Sequence, residues 1–143
     1  MNTTAKPEPN VKEVVPLLNV ISMERSLRYY VDGLGFTMAN KWAVEEKTRW
    51  CWLTLGGASV MLQEYLKERL PADKLGVGVS LNFTCQDAIA IYHEVRLRGI
   101  EAQEPFVGNA MWVTSLTDPD GYLIYFHSLT DIPEETKLSE VKG

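Results

Sequence analysis

The sequence predicts an α+β protein built from two tandem modules, each running strand, helix, strand, strand, strand. Three observations carry this reading. First, a strand-helix unit over residues 14–36 returns in altered form over residues 79–100: Ser22 to Asp87 is a step of 65, Gly35 to Gly99 of 64, and Gly57 to Gly121 of 64. A supersecondary unit recurring at a fixed period marks a duplicated module. Second, Ala88, Ile91, Tyr92 and Val95 follow the i, i+3, i+4, i+7 spacing of an amphipathic helix, whereas the flanking apolar runs read as strands. Third, Gly56-Gly57 stands between two strand patterns, a strong hairpin signal.

Taken in order, residues 1–10 are polar and contain Pro7 and Pro9, so they read as a loose tail. Residues 11–128 form a single domain, with module one over 11–65, a charged linker over 66–76 and module two over 77–128. Residues 129–143 form a polar, acidic C-terminal tail. Residues 14–20 make the first strand, which Pro16 confines to a position where no amide hydrogen is needed. Ser22 caps a helix with Glu24 in its first turn, Leu27, Tyr30, Val31 and Leu34 form its apolar stripe, and Gly33 or Gly35 ends it. A strand over 37–44 leads through the polar turn Glu45-Glu46-Lys47 to strands over 50–55 and 58–65. Pairing across Gly56-Gly57 sets Leu55 opposite Ala58, Trp52 opposite Met61 and Trp50 opposite Gln63, so each pair shares a face. In module two, a strand over 79–85 precedes a helix opened near Asp87, with Arg96 and Arg98 at its negative end and Gly99 as its stop. Strands over 111–117 and 122–127 are joined by Asp118-Pro119-Asp120-Gly121. The same construction across that turn sets Thr114 opposite Tyr125 and Trp112 opposite His127.

Composition narrows the partners. At 143 residues, with 45% hydrophobic and 23% charged residues, the chain has the make-up of one globular domain. A net charge of -5 argues against nucleic acid and an anionic membrane surface, both of which need a basic footprint. A neutral or cationic small molecule is easier to accommodate. Cys51 and Cys85 lie within apolar strand patterns and read as reduced thiols. Residues 1–10 lack the apolar core of a signal peptide, and no apolar run approaches the ~20 residues of a membrane span, so a cytoplasmic protein is expected.

Four motifs occur in order at module spacing: Ser22-Met23-Glu24-Arg25-Ser26-Leu27-Arg28-Tyr29-Tyr30 with Gly33-Leu34-Gly35-Phe36; Gln86-Asp87-Ala88; Arg98-Gly99-Ile100; and Asp118-Pro119-Asp120-Gly121. In these the chain resembles the vicinal-oxygen-chelate superfamily of glyoxalase I, extradiol dioxygenases, fosfomycin-modifying enzymes and bleomycin-resistance proteins. The resemblance spans residues 12–128 and is specific for the fold, not for a chemistry. It implies sheets curled around a central cavity, commonly completed in a homodimer. In metal-dependent members a divalent ion is held by His, Gln or Glu on the first and last strand of each module. Those positions fall here on Val15, Met61, Ser80 and Tyr125, none of them a good ligand for such an ion. A register slip of one offers only Val14, Pro16, Val60, Leu62, Val79, Leu81, Ile124 and Phe126, and turns every side chain to the opposite face. No metal and no cofactor is therefore expected. Gln63, Glu64 and His127 are the candidates for a displaced site.

What would replace the metal is an aromatic cavity. Trp50, Trp52, Trp112 and Tyr125 form its walls, with Met61 beside them and Asn19, Gln63, Asn82 and His127 as polar handles. The same aromatics would also serve to fill the space between sheets or to pack a dimer interface. The first functional reading is a metal-free binding protein for a planar or cationic small molecule. The alternative is a metal-dependent lyase, isomerase or dioxygenase using the displaced site. A third reading makes Tyr125 or His127 the catalytic proton carrier. His93 falls on the outer part of its helix and reads as solvated.

Overall fold

The computed structural model describes residues 9–69 and 75–141; most of the N-terminal tail, the middle of the linker and the last two residues lie outside the described residues. The order is β1 (Leu17–Val20), α1 (Met23–Leu27), β2 (Thr37–Val44), β3 (Lys47–Leu55), β4 (Ala58–Glu64), β5 (Ser80–Thr84), α2 (Ala88–Leu97), β6 (Phe106–Gly108), β7 (Met111–Thr117) and β8 (Leu123–Leu129). The two sheets have equivalent orders, β1-β4-β3-β2 and β5-β8-β7-β6. Each is mixed, because the helical crossover brings β1 parallel to β4 and β5 parallel to β8, while the other neighbours are antiparallel. The duplicated βαβββ architecture read from the sequence is the one observed.

Both helices begin where the sequence placed them. The Ser22 hydroxyl accepts from Arg25 N at 3.2 Å, and the Asp87 carboxylate accepts from Ala90 N at 3.0 Å. Helix α1 continues as a π-helical stretch over Arg28–Gly33, with Leu34 N donating to Tyr29 O at 2.9 Å. The first strand starts at Leu17 rather than Val14: Val14 is exposed, and Pro16 contributes only its carbonyl, which accepts from Met61 N at 2.8 Å.

The helix-facing sides of both sheets belong to one core. Leu18, Val20, Cys51, Leu53, Val60 and Leu62 come from the first sheet, and Leu81, Leu116, Ile124 and Phe126 from the second. An aromatic series joins the halves: Tyr30 to Phe36 at 5.8 Å between ring centres, Phe36 to Phe83 at 6.0 Å, and Phe83 to Phe126 at 5.1 Å.

The Asp118–Gly121 turn is a clamp between the modules. Asp118 Oδ1 accepts from Asp120 N and Tyr122 N, both at 2.9 Å, and its Oδ2 accepts from the Tyr30 hydroxyl at 2.8 Å. Asp120 Oδ1 receives Arg25 Nη2 at 2.7 Å, and its Oδ2 receives Ile21 N at 3.3 Å. The Tyr122 hydroxyl donates to Asn19 O at 2.9 Å. Three polar side chains of module two, Asp118, Asp120 and Tyr122, thus hold module one between Asn19 and Tyr30, and the motif's role here is structural. The linker returns against the same turn, where Gly76 lies so close that an added Cβ would sit 2.6 Å from Gly121 O.

The C-terminal segment is docked rather than loose. Val107 N donates to Thr136 O, Glu135 N to Val107 O, and Leu138 N to Pro105 O, so residues 135–138 run along the free edge of β6. The Glu134 carboxylate accepts from Asn109 N and Ala110 N at 2.8 Å each, capping the β6–β7 turn. The segment's backbone serves the β6 edge, and the Glu134 carboxylate serves the turn beside it.

That turn holds Ala110 at φ +63°, a conformation that costs an L-residue about 1–2 kcal/mol and glycine almost nothing. Ala110→Gly is therefore expected to stabilise by about 0.5 kcal/mol after the unfolded chain's gain in entropy, raising Tm by roughly 1–2 °C. A thermal melt that falls instead would mean that the methyl group packs favourably.

Candidate functional site

In the first sheet the register places two rows of side chains on the face away from the helices. One row is Asn19, Gln63, Trp50 and Trp42; the other is Leu17, Met61, Trp52 and Asn40. The pairing expected across Gly56-Gly57 is the pairing found. A two-residue turn leaves no freedom in register, and Cys51 and Leu53 are accordingly fully buried on the other side.

Trp42 was not anticipated. An irregularity between Trp42 and Ala43 shifts the pairing so that Trp42 comes opposite Trp50, and no simple count through the Glu45-Glu46 turn reveals that. Trp42 is 60% exposed. Together with Trp50, Gln63, Arg49 and Leu66 it lines a recess of roughly 720 Å³.

Trp112 requires a correction. It pairs with Ser128, not His127, and Thr114 pairs with Phe126, not Tyr125. The closing pair of the hairpin is Thr117 with Leu123, one residue further out than expected, because Tyr122 is drawn into the clamp with Asn19. One residue reverses the face. Trp112 is therefore buried on the helix side, where Thr114 donates to Ala88 O and Ser128 accepts from Ala88 N.

On the outward face of the second sheet, Tyr125 lies beside Asn82 and Ser115, and His127 beside Thr84 and Val113. His127 Nε2 is 2.9 Å from Asn82 Oδ1, and Asn82 Nδ2 donates to Ser80 Oγ at 3.0 Å. His127 Nδ1 is buried without a partner among the described residues. Asn82, Tyr125 and His127 share a recess of roughly 230 Å³. It has no lining residue in common with the tryptophan recess, so within one chain the expected residues fall into two groups on two sheets.

The residues do not fit a divalent ion. The four family positions offer a hydrocarbon at Val15, a thioether at Met61, a hydroxyl at Ser80 and a phenol at Tyr125. The displaced set fares no better. Glu64 has both oxygens engaged, by the Arg49 guanidinium and by Met23 N at 2.8 Å. Gln63 and His127 line different recesses. Among the described residues no three His, Cys, Asp or Glu side chains cluster as ligands. The cysteines are poor nucleophiles: burial pushes the Cys51 thiol up to about 11 and also raises Cys85. No helix among the described residues is long and apolar enough to cross a membrane.

A family model described as the Glyoxalase/Bleomycin resistance protein/Dioxygenase superfamily matches residues 12–126. No curated protein matches the chain. Among solved structures, TnmS3, an antibiotic binding protein from Streptomyces sp. CB03234, is 21% identical, covering 86% of this chain and 100% of its own, at a TM-score of 0.65. A bleomycin-binding protein complexed with bleomycin is 19% identical over 82% of this chain and 98% of its own, at 0.66. A glyoxylase/bleomycin resistance protein/dioxygenase domain from Frankia sp. EAN1pec is 17% identical over 85% and 95%, at 0.68. At these identities the likeness is one of fold.

Proposed function

The chain belongs to this glyoxalase, bleomycin-resistance and dioxygenase superfamily, and on that premise we propose that it binds a planar or cationic organic molecule, without a metal, against the tryptophan face of its first sheet. The observation that carries the proposal is the row Trp42, Trp50, Gln63 and Asn19, where two indoles and two amides lie side by side on an outward surface. Indole faces stack planar rings and hold cations, each worth about 0.5–2 kcal/mol, and the amides supply orientation. The net charge of -5 favours a cationic guest. The antibiotic-binding and bleomycin-binding neighbours support a carrier over a catalyst.

A second copy of the chain would close the site, setting the Asn82, Tyr125 and His127 group of one protomer across from the tryptophans of the other. The outward faces support this, because Leu17, Trp42, Leu123 and Leu129 all stand exposed on them.

Titrating the protein with a panel of planar cationic aromatics, bleomycin included, while following tryptophan fluorescence tests the reading. Saturable quenching is expected, unchanged by a chelator. Trp50→Ala or Trp42→Ala should weaken it roughly tenfold. A flat response across the panel, or binding that needs an added divalent ion, would overturn the proposal.

A further inference from the structure

The duplication is unequal at one place, and the inequality leaves a cavity. In the first half, the place where a hairpin turn meets the neighbouring strand and helix is taken by Tyr30, Asp120 and Tyr122, with Tyr29 packed edge-on against Tyr30. Adding 65 to the helix positions carries Tyr29 to Glu94 and Tyr30 to Val95; subtracting 64 from the turn positions carries Asp120 to Gly56 and Tyr122 to Ala58. Two phenols become a carboxylate and an isopropyl group, and the turn that carries an aspartate and a tyrosine in one half carries a glycine and an alanine in the other. The β3–β4 turn is also shorter than its counterpart, two residues against five between the closing pairs Leu55–Ala58 and Thr117–Leu123.

The gap is a recess of roughly 600 Å³ bounded by Leu34, Phe83, Ile91, Val95 and Phe126, with Gly56, Gly57 and Ala58 as its third side. That volume lies within the range that encloses a drug-sized ligand. Its floor is core hydrocarbon, with Val95 1% and Phe126 2% exposed. Among the described residues Glu94 is the one charged side chain on its wall, and it stands at the solvent edge. No tryptophan lines it, so it is separate from the tryptophan recess, while Asn82 stands between it and the recess of Tyr125 and His127.

We propose that this gap is a second ligand site, taking a compact apolar molecule that carries an amine, with the hydrocarbon between the sheets and the ammonium at Glu94. It does not depend on the tryptophan site. The thiol of Cys85, half-buried on the same wall, reports occupancy.

The test uses 4-phenylbutylamine and its uncharged counterpart 4-phenylbutanol on the full chain, reading both binding heat and the rate of Cys85 alkylation by mass spectrometry. Saturable binding of the amine that slows Cys85 alkylation without quenching tryptophan fluorescence is expected. Ala58→Tyr restores the ring found in the other half, where the Tyr122 hydroxyl donates to Asn19 O, the counterpart of Thr84. It should fill the gap, keep or raise Tm, and weaken the amine by at least about tenfold. Should that variant fold poorly, Glu94→Gln serves at the solvent edge, weakening the amine about threefold and leaving the alcohol unchanged. Absence of saturable binding would overturn the proposal. So would binding untouched by both substitutions, or binding that quenches tryptophan and leaves Cys85 unprotected; the last result would assign the amine to the first sheet.

Discussion

Asp118→Ala is expected to destabilise the protein by roughly 3–5 kcal/mol, enough to unfold much of it at 37 °C if its stability is that of an ordinary domain. The residue is 4% exposed, and its carboxylate accepts three hydrogen bonds. Removing it strands the Tyr30 hydroxyl, whose residue is fully buried, and two turn amides, each worth about 1–3 kcal/mol when left unpaired. Asp118→Asn should cost only about 1 kcal/mol, since the amide oxygen still serves the two backbone donors and its nitrogen can donate to the Tyr30 oxygen. Burial raises the Asp118 carboxyl above the ordinary aspartate value, against the pull of its donors from Tyr30, Tyr122 and Asp120. The folded protein therefore holds that proton more tightly than the unfolded chain. The contribution is complete below the ordinary value and is lost as pH rises through the raised one. Relative to Asp118→Asn, wild-type stability should fall across that window. Urea melts at several pH values check both statements, and an Asp118→Ala variant within 0.5 kcal/mol of wild type would remove the clamp from the account.

The sequence was a good guide wherever a local rule constrained the chain. The Gly56-Gly57 turn permitted one register, so Trp50 opposite Gln63 could be read without coordinates. Ser22 and Asp87 capped helices because their side chains serve amides three residues on. The reading failed where a distant residue set the local geometry. Tyr122 leaves the β7–β8 hairpin for an acceptor 103 positions away, and that single residue reversed the face of Trp112. Asp118 and Asp120 looked like turn residues, and they are; their partners Tyr30 and Arg25, 88 and 95 positions away, leave no trace in periodicity. The docking of the C-terminal segment was not legible for a related reason: a glutamate that accepts from the amides of the β6–β7 turn adds to the same polar, acidic composition as a solvated one. The outward tryptophans were legible in part, Trp50 and Trp52 through the tight turn, whereas Trp42 lay beyond an irregularity in pairing.

Phe36→Ala probes the same junction from its apolar side and is expected to cost about 3–5 kcal/mol, the usual range for deleting a buried aromatic ring. Phe36 is 2% exposed and stands between Tyr30 of its own module and Phe83 of the other, so truncation opens a void against both. Because the void lies between the modules, the cooperativity of unfolding should suffer along with stability. The first and second modules would separate into distinguishable transitions when followed by tryptophan fluorescence, weighted towards the three tryptophans of module one, and by far-ultraviolet circular dichroism. The ring also packs on Tyr30, whose hydroxyl Asp118 holds. The effects of Phe36→Ala and Asp118→Asn should then be non-additive, with a coupling of at least about 0.5 kcal/mol. Strict additivity, with one cooperative transition retained in Phe36→Ala, would mean that the aromatic series and the carboxylate clamp act as independent fastenings, and that the two modules are joined more broadly than by this one junction.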